Sequence, residues 1–253
     1  MTFIKHPFMK FATKDAAYKK RRTELSEKYG PRELWSVMDH WPLYCGVRNM
    51  ARYLAIYEIF KTTINVPGHV AEFGTWRGAN LMFLAKILRL HECYSTKMLH
   101  CFDSFDGLTE FHDKDGRAIE TKGAYKGSLE ELKDFIGLYE MQDEVVIHKG
   151  LIEETLPKLL SEEDSLSFSF VYCDVDLYQG TKTILDNLHP RLSAGGVFVL
   201  DEWNDPENPG ETTAVREFLE KHGDMYVMEN ITTVTQPSLL LRKKTMQSHV
   251  PQV

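Results

Sequence analysis

Residues His69–Leu90 read HVAEFGTWRGANLMFLAKILRL. The apolar run HVAEF meets Gly74, and a second glycine, Gly78, opens a stretch whose apolar residues recur at helical spacing. The stretch reads as a buried strand, a tight turn and a helix. The glycine spacing is G-x-x-x-G. It is not the G-x-G-x-x-G of a pyrophosphate-binding turn, and the chain contains no G-x-x-x-x-G-K-[ST]. A dinucleotide or triphosphate is therefore disfavoured, and with it a nicotinamide oxidoreductase. The bland alternative is an ordinary strand–helix turn.

Downstream the same unit recurs. Met98–Asp103, Glu144–Lys149, Phe168–Asp174 and Val197–Asp201 read as strands. Ser128–Leu138, Glu153–Leu160, Gly180–Leu192 and Thr213–His222 read as helices, and Tyr226–Glu229 and Leu239–Arg242 as late strands. Strand and helix alternate five times, which predicts an α/β fold with a doubly wound parallel sheet and right-handed crossovers. Upstream no strand is legible. Asp15–Tyr29, Arg32–His40 and Cys45–Ile64 read as helices, the last with Met50, Leu54, Tyr57, Ile59 and Phe60 on or near one face. The expected organisation is a helical cap over 1–65, a catalytic domain over 66–244 and a tail over 245–253.

A chain of 253 residues fits one large domain with an appendage. Hydrophobic residues at 43% and charged residues at 26% exclude a wholly disordered or collagen-like chain. Apolar stretches such as Val197–Leu200 fall far short of a membrane span, and the basic N-terminus has no apolar core of a secretory signal. No membrane partner and a cytoplasmic location are expected. A net charge of −7 disfavours a nucleic-acid partner. The four cysteines, Cys45, Cys93, Cys101 and Cys173, form no C-x-x-C and read as reduced, buried thiols.

In an open α/β sheet, ligands sit beyond the carboxyl ends of the strands. Those ends deliver Glu72-Phe73-Gly74-Thr75 before Gly78, then Asp103-Ser104, Lys149-Gly150, Asp174 with Asp176, and Asp201-Glu202. Asp103 can accept both hydroxyls of a ribose, or it can cap the turn Ser104–Gly107. Glycine turn and acid together suit a nucleoside without a pyrophosphate, and S-adenosylmethionine fits that description. Asp174 and Asp201-Glu202 lie on strand ends that the topology makes neighbours. Close carboxylates are costly unless a cation or protons neutralise them, and hard oxygen ligands suit Mg²⁺. Asp176 reads as the cap of the helix near Tyr178.

At these residues the sequence resembles the macrocin O-methyltransferase family of S-adenosylmethionine-dependent enzymes, which act on sugars of macrolide and aminocoumarin antibiotics. The carriers are VPGHVAEFGTWRGAN (Val66–Asn80), FDSFDGL (Phe102–Leu108), KGLIEETLP (Lys149–Pro157), DVDLYQGTKTILDNLHPRLSAGG (Asp174–Gly196) and LDEWND (Leu200–Asp205). The resemblance implies a Rossmann-like class I methyltransferase core with a mostly parallel seven-stranded sheet. It implies a metal triad that maps to Asp174, Asp201 and Glu202, with Glu202 where the family has a second Asp and Trp203 where Tyr is usual. The implied cofactor site holds Glu72, Gly74, Thr75, Gly78, Asp103, Ser104, Gly150 and Asp174, with Tyr44 added by analogy.

The mechanism expected is transfer of the sulfonium methyl to a sugar hydroxyl of a natural product or polysaccharide. Mg²⁺ lowers the hydroxyl's pKa and Asp174 is the candidate base. His112, in the polar loop FHDKDG, either carries the proton away or is a solvated surface histidine. Trp76, Trp203 and Phe111 either wall the acceptor pocket or belong to the core. A catechol or phenol acceptor, and a non-catalytic S-adenosylmethionine-binding scaffold, are the alternatives. A homo-oligomer is expected.

Overall fold

A computed structural model describes residues 12–31, 33–91 and 96–245. Arg32, Cys93, the start of the basic N-terminus and most of the tail lie outside the described residues.

The cap is α1 (Ala12–Tyr29), α2 (Leu34–Asp39), α3 (Trp41–Tyr44) and α4 (Val47–Lys61). There follow β1 (His69–Phe73), α5 (Ala79–His91), β2 (Leu99–Asp103), α6 (Leu129–Leu138), β3 (Val145–Lys149), α7 (Ile152–Glu162), β4 (Phe168–Cys173), α8 (Tyr178–Leu188), β5 (Leu192–Leu200), α9 (Pro209–His222), β6 (Tyr226–Asn230) and β7 (Leu239–Lys243). The seven strands form one sheet in the order β3-β2-β1-β4-β5-β7-β6. β1 to β5 pair in parallel, and β7 runs antiparallel to both of its neighbours. The chain reverses its winding between β1 and β4, which is where such sheets open a crevice.

Both faces of the sheet are covered, so the central strands are apolar without alternation. All six residues of β4 are buried. One face packs under α7, α8 and α9 through Leu156, Leu160, Ile184, Leu188, Val215 and Phe218. The other packs under α4, α5 and α6 through Ile56, Phe60, Leu84, Leu88, Leu132 and Ile136. At ~2 kcal/mol for each such side chain, these two layers are the main favourable contribution to folding.

Three local expectations need correction. The inward face of α4 carries Ile56, Ile59 and Phe60, while Leu54 is 57% exposed. Leu54 belongs to the opposite face, and Arg52, one turn before Ile56, shares the inward one. β5 begins at Leu192, not Val197, and takes in Gly195 and Gly196. The preceding helix stops at Leu188 because Pro190 follows closely and cannot continue it. α9 starts at Pro209, four positions earlier than the pattern showed, with proline in the first turn where its missing N–H costs nothing.

Candidate active site

The cavity at the strand ends measures about 1070 Å³ and is lined by Glu72, Gly74, Asp103, Gly150, Asp174 and Glu202 among others. Each of the five parallel strands contributes, so the sheet edge and the cavity floor are one surface.

The β1 end is built by buried polar contacts. The Glu72 carboxylate accepts from Asn80 Nδ2 at 2.7 Å and Thr75 Oγ1 at 3.0 Å. Burial pushes its pKa up to about 8, against the opposing effect of those two hydrogen bonds. Gly74 and Gly78 both have φ +82. A Cβ at Gly74 would lie 1.7 Å from the Asp174 carbonyl oxygen, and one at Gly78 would lie 2.4 Å from Leu132 Cδ1. Packing of β4 and α6 against the turn thus requires glycine at both positions, and Gly74 also lines the cavity. Gly78 is not among the cavity-lining residues.

Asp103 ties this turn to the next. Its Oδ2 accepts from the N–H of Thr75 at 2.6 Å and of Trp76 at 2.8 Å, and its Oδ1 from Phe105 N–H at 2.6 Å. The capping reading is thus realised, and the same carboxylate also clamps the glycine turn. Ser104 Oγ accepts from Asp106 N–H at 3.1 Å, and Gly150 N–H donates to the Asp103 carbonyl at 3.1 Å.

The acidic rim brings Asp174, Asp201 and Glu202 together in the cavity lining, with an arginine among them. Arg52 reaches down from α4, donating from Nη2 to Asp174 Oδ2 at 2.8 Å and from Nη1 to Asp201 Oδ2 at 2.9 Å. Tyr172 OH donates to Asp201 Oδ1 at 2.5 Å. Both Asp201 oxygens are therefore engaged by protein donors. The carboxylates whose oxygens lie within 4.8 Å of one another are Asp174, Asp176 and Glu202. Burial, then Asp201, pushes the Asp176 pKa up to about 6, and burial plus the neighbouring carboxylates raises Glu202 well above the usual range. Glu202 Oε1 accepts from Gln236 Nε2 at 3.0 Å, its carboxyl shares a hydrogen bond with that of Asp176, and its buried Oε2 meets no N–H or hydroxyl donor. Glu211, buried under the rim, accepts the Glu202 N–H at 2.8 Å. Asp176 does not cap α8; the residue at that cap is Leu177, without a side-chain bond. Asp176 instead adopts φ +60 and lines the cavity.

Other expected residues fall outside the cavity lining. His112 accepts from Lys114 N–H at 3.1 Å and lies against Tyr178, with ring centroids 4.7 Å apart. Asp115, which accepts from His112 N–H and Tyr178 N–H, pins this loop onto α8. Tyr44 ends α3, whereas the adjoining Cys45 and Gly46 line the cavity. Cys45 is half-buried, a correction to the buried-thiol expectation, while Cys101 and Cys173 are buried. Trp203 belongs to the core, and Trp76, edge-to-face with Tyr125, lines the cavity. His100 and His148, joined at 3.0 Å, partner each other inside the sheet layer.

The profile of the family described as macrocin-O-methyltransferase (TylF) matches residues 7–243. The chain belongs to this family. The match runs from before α1 to the last residue of β7, so cap and sheet are matched together. The tetracenomycin-derivative 4'-O-methyltransferase of Streptomyces olivaceus is 31% identical over 145 residues, covering 54% of this chain and 54% of its own. The demethyldecarbamoylnovobiocin O-methyltransferase of Streptomyces niveus is 33% identical over 147 residues, covering 55% and 54%. The chain spans about half the length of these curated relatives it matches. The calicheamicin methyltransferase CalS11 superposes with a TM-score of 0.79 at 25% identity, over 90% of this chain and 92% of its own. The O-methyltransferase NovP gives 0.66 at 25% identity, over 77% and 80%. In this macrocin O-methyltransferase family member, no helix among the described residues is long and apolar enough to cross a membrane.

Proposed function

We propose that the chain is an S-adenosylmethionine-dependent O-methyltransferase whose acceptor is a sugar hydroxyl of a natural product or polysaccharide. One observation carries the reading. The nucleoside-type end of the cavity, at Glu72, Asp103 and Gly150, is continuous with the carboxylates Asp174, Asp176 and Glu202. A cofactor methyl and an acceptor hydroxyl can therefore meet in one cleft. The relatives' names, which describe sugar-directed or antibiotic O-methyltransferases, support the same reading.

The rim fits a hard divalent cation. Its oxygen-only donors and the orphaned Glu202 Oε2 are what such an ion satisfies. Asp174, Asp176 and Glu202 would hold Mg²⁺, which when bound acidifies a coordinated hydroxyl. The chain's own residues do the rest. Glu72 and Asp103 hold the turn against which the cofactor lies. Asp174 was the expected base, but one of its oxygens serves Arg52. Asp176 lines the cavity and would give the ion one oxygen; its other oxygen is the one we assign to take the acceptor proton. Trp76 and Tyr125, packed edge to face, form an aromatic wall at the cavity mouth.

Transfer of labelled methyl from S-adenosylmethionine to glycosides, nucleotide sugars and catechols tests the reading. Labelling of a sugar diol supports it. Labelling of catechols alone transfers the chain to the phenol class, and no labelling of any acceptor by protein that binds the cofactor removes the enzymatic reading.

A further inference from the structure

We propose that Arg52 is the positioning residue of the acidic rim: its guanidinium holds Asp174 and Asp201 together and keeps Asp201 out of the cation site, leaving Asp174, Asp176 and Glu202 as the ligands. The inference rests on the reading that a divalent cation serves this cavity.

The geometry comes first. The planar fork of arginine presents two parallel donors, and here they land on two different carboxylates at the ends of β4 and β5. The guanidinium carbon stands 5.8 Å from the centroid of the Tyr172 ring, and the hydroxyl of that ring closes the remaining Asp201 oxygen. The Asp201 side chain is only 2% exposed, against 29% for Asp174. Asp201 lines the cavity, but both of its oxygens are taken by Arg52 and Tyr172, while Asp174 gives the arginine one oxygen.

Energetics favours positioning over stability as the role. A buried ion pair returns about what its desolvation costs, so apolar or neutral replacements of a whole pair are often tolerated. Losing one partner is different, because the other is left charged and buried. Arg52 therefore decides where negative charge is available. With it in place, Asp174 and Asp201 share the arginine, and the acid without a cationic partner lies at Asp176 and Glu202, beside the second oxygen of Asp174. Without it, one oxygen of Asp201, already beside them, is released as a fourth ligand. The helix that carries Arg52 is anchored by Ile56, Ile59 and Phe60, so seating of the cap and composition of the cation site are linked.

Mn²⁺ binding, followed by loss of the free-ion paramagnetic signal, tests this without recourse to turnover. The full-length wild type should bind the ion, and Arg52→Gln should bind it about tenfold tighter, having lost a positive charge beside the ligands and gained a carboxylate. The double variant Arg52→Gln with Asp201→Asn should return to within about threefold of wild type, since neither the charge nor the extra ligand remains. Absence of Mn²⁺ binding by wild type, equal or weaker binding by folded Arg52→Gln, or a double variant as tight as Arg52→Gln each overturns the proposal. Should Arg52→Gln fail to fold, Arg52→Lys decides: its ammonium serves one carboxylate at a time, so some tightening is expected and none contradicts. Calorimetry with S-adenosylhomocysteine on the same samples keeps the two readings apart. Intact cofactor binding with failed Mn²⁺ results removes only the role of Arg52. A wild type that binds no S-adenosylhomocysteine removes the methyltransferase reading, and the Mn²⁺ comparison still decides for or against Arg52.

Discussion

Arg52 and Asp201 stand 149 positions apart in the chain and 2.9 Å apart in the fold. The contact joins the helical cap to the end of β5, and it assigns the rim carboxylates to two jobs. Asp201 is held by protein donors, whereas Asp176 and Glu202 face one another across the cavity wall.

That division predicts opposite stability effects for two similar substitutions. Asp201→Asn should destabilise the protein by about 2 kcal/mol, because the Arg52 charge loses half of its compensation in a buried place. Asp176→Asn should raise the melting temperature by removing a buried charge beside Asp201 and Asp174, while abolishing methyl transfer. Chemical denaturation of both variants without added metal checks this. A stabilised Asp201→Asn would contradict the division.

Glu72 carries a pH signature. Its pKa rises from the ordinary 4.5 to about 8 in the fold, mainly through burial. The unfolded chain therefore loses this proton first as pH rises, so the contribution is complete below pH 4.5 and is lost on the way to about 8. Glu72→Gln removes the titration. Melting curves from acid to alkaline pH should show wild type losing more stability than Glu72→Gln, and parallel curves would count against a neutral buried Glu72.

Two glycines with positive φ should respond very differently to alanine. At Gly30, φ +70, nothing lies within 4 Å of an added Cβ. The cost there is backbone strain alone, about 1 kcal/mol. At Gly74 the new atom meets the Asp174 carbonyl, so Gly74→Ala should cost more than about 3 kcal/mol and displace the rim. Urea midpoints of the two variants make the comparison, and equal shifts would refute it.

His112→Ala should leave methyl transfer within about twofold and cost about 1 kcal/mol, the value of a lost cap at the segment Asp113–Thr121. Steady-state rates measure it. A collapse in turnover at unchanged stability would return His112 to the proton path.

The sheet was legible because buried parallel strands write continuous apolar runs, and their ends announced Asp174 and Asp201 as neighbours. The strand ends also located the cavity. What local pattern could not supply was pairing across the chain. Arg52 reads as a solvated helix residue until α4 is rotated so that Ile56 and Phe60 face inward, and only then does the arginine point at the rim. Asp176 precedes a helix and looks like its cap; its positive φ instead turns it into the cavity. Gly78 stood among the implied cofactor residues, and its added Cβ would meet Leu132, a residue 54 positions later that no turn motif reveals.

The central claim is that this cavity holds a methyl donor, and calorimetric titration with S-adenosylhomocysteine tests it most directly. The account predicts saturable binding at one site per chain, weakened about tenfold or more by Asp103→Ala through loss of the clamp on the turn, with no heat from NAD⁺. Saturable binding of NAD⁺ with no response to S-adenosylhomocysteine would contradict it.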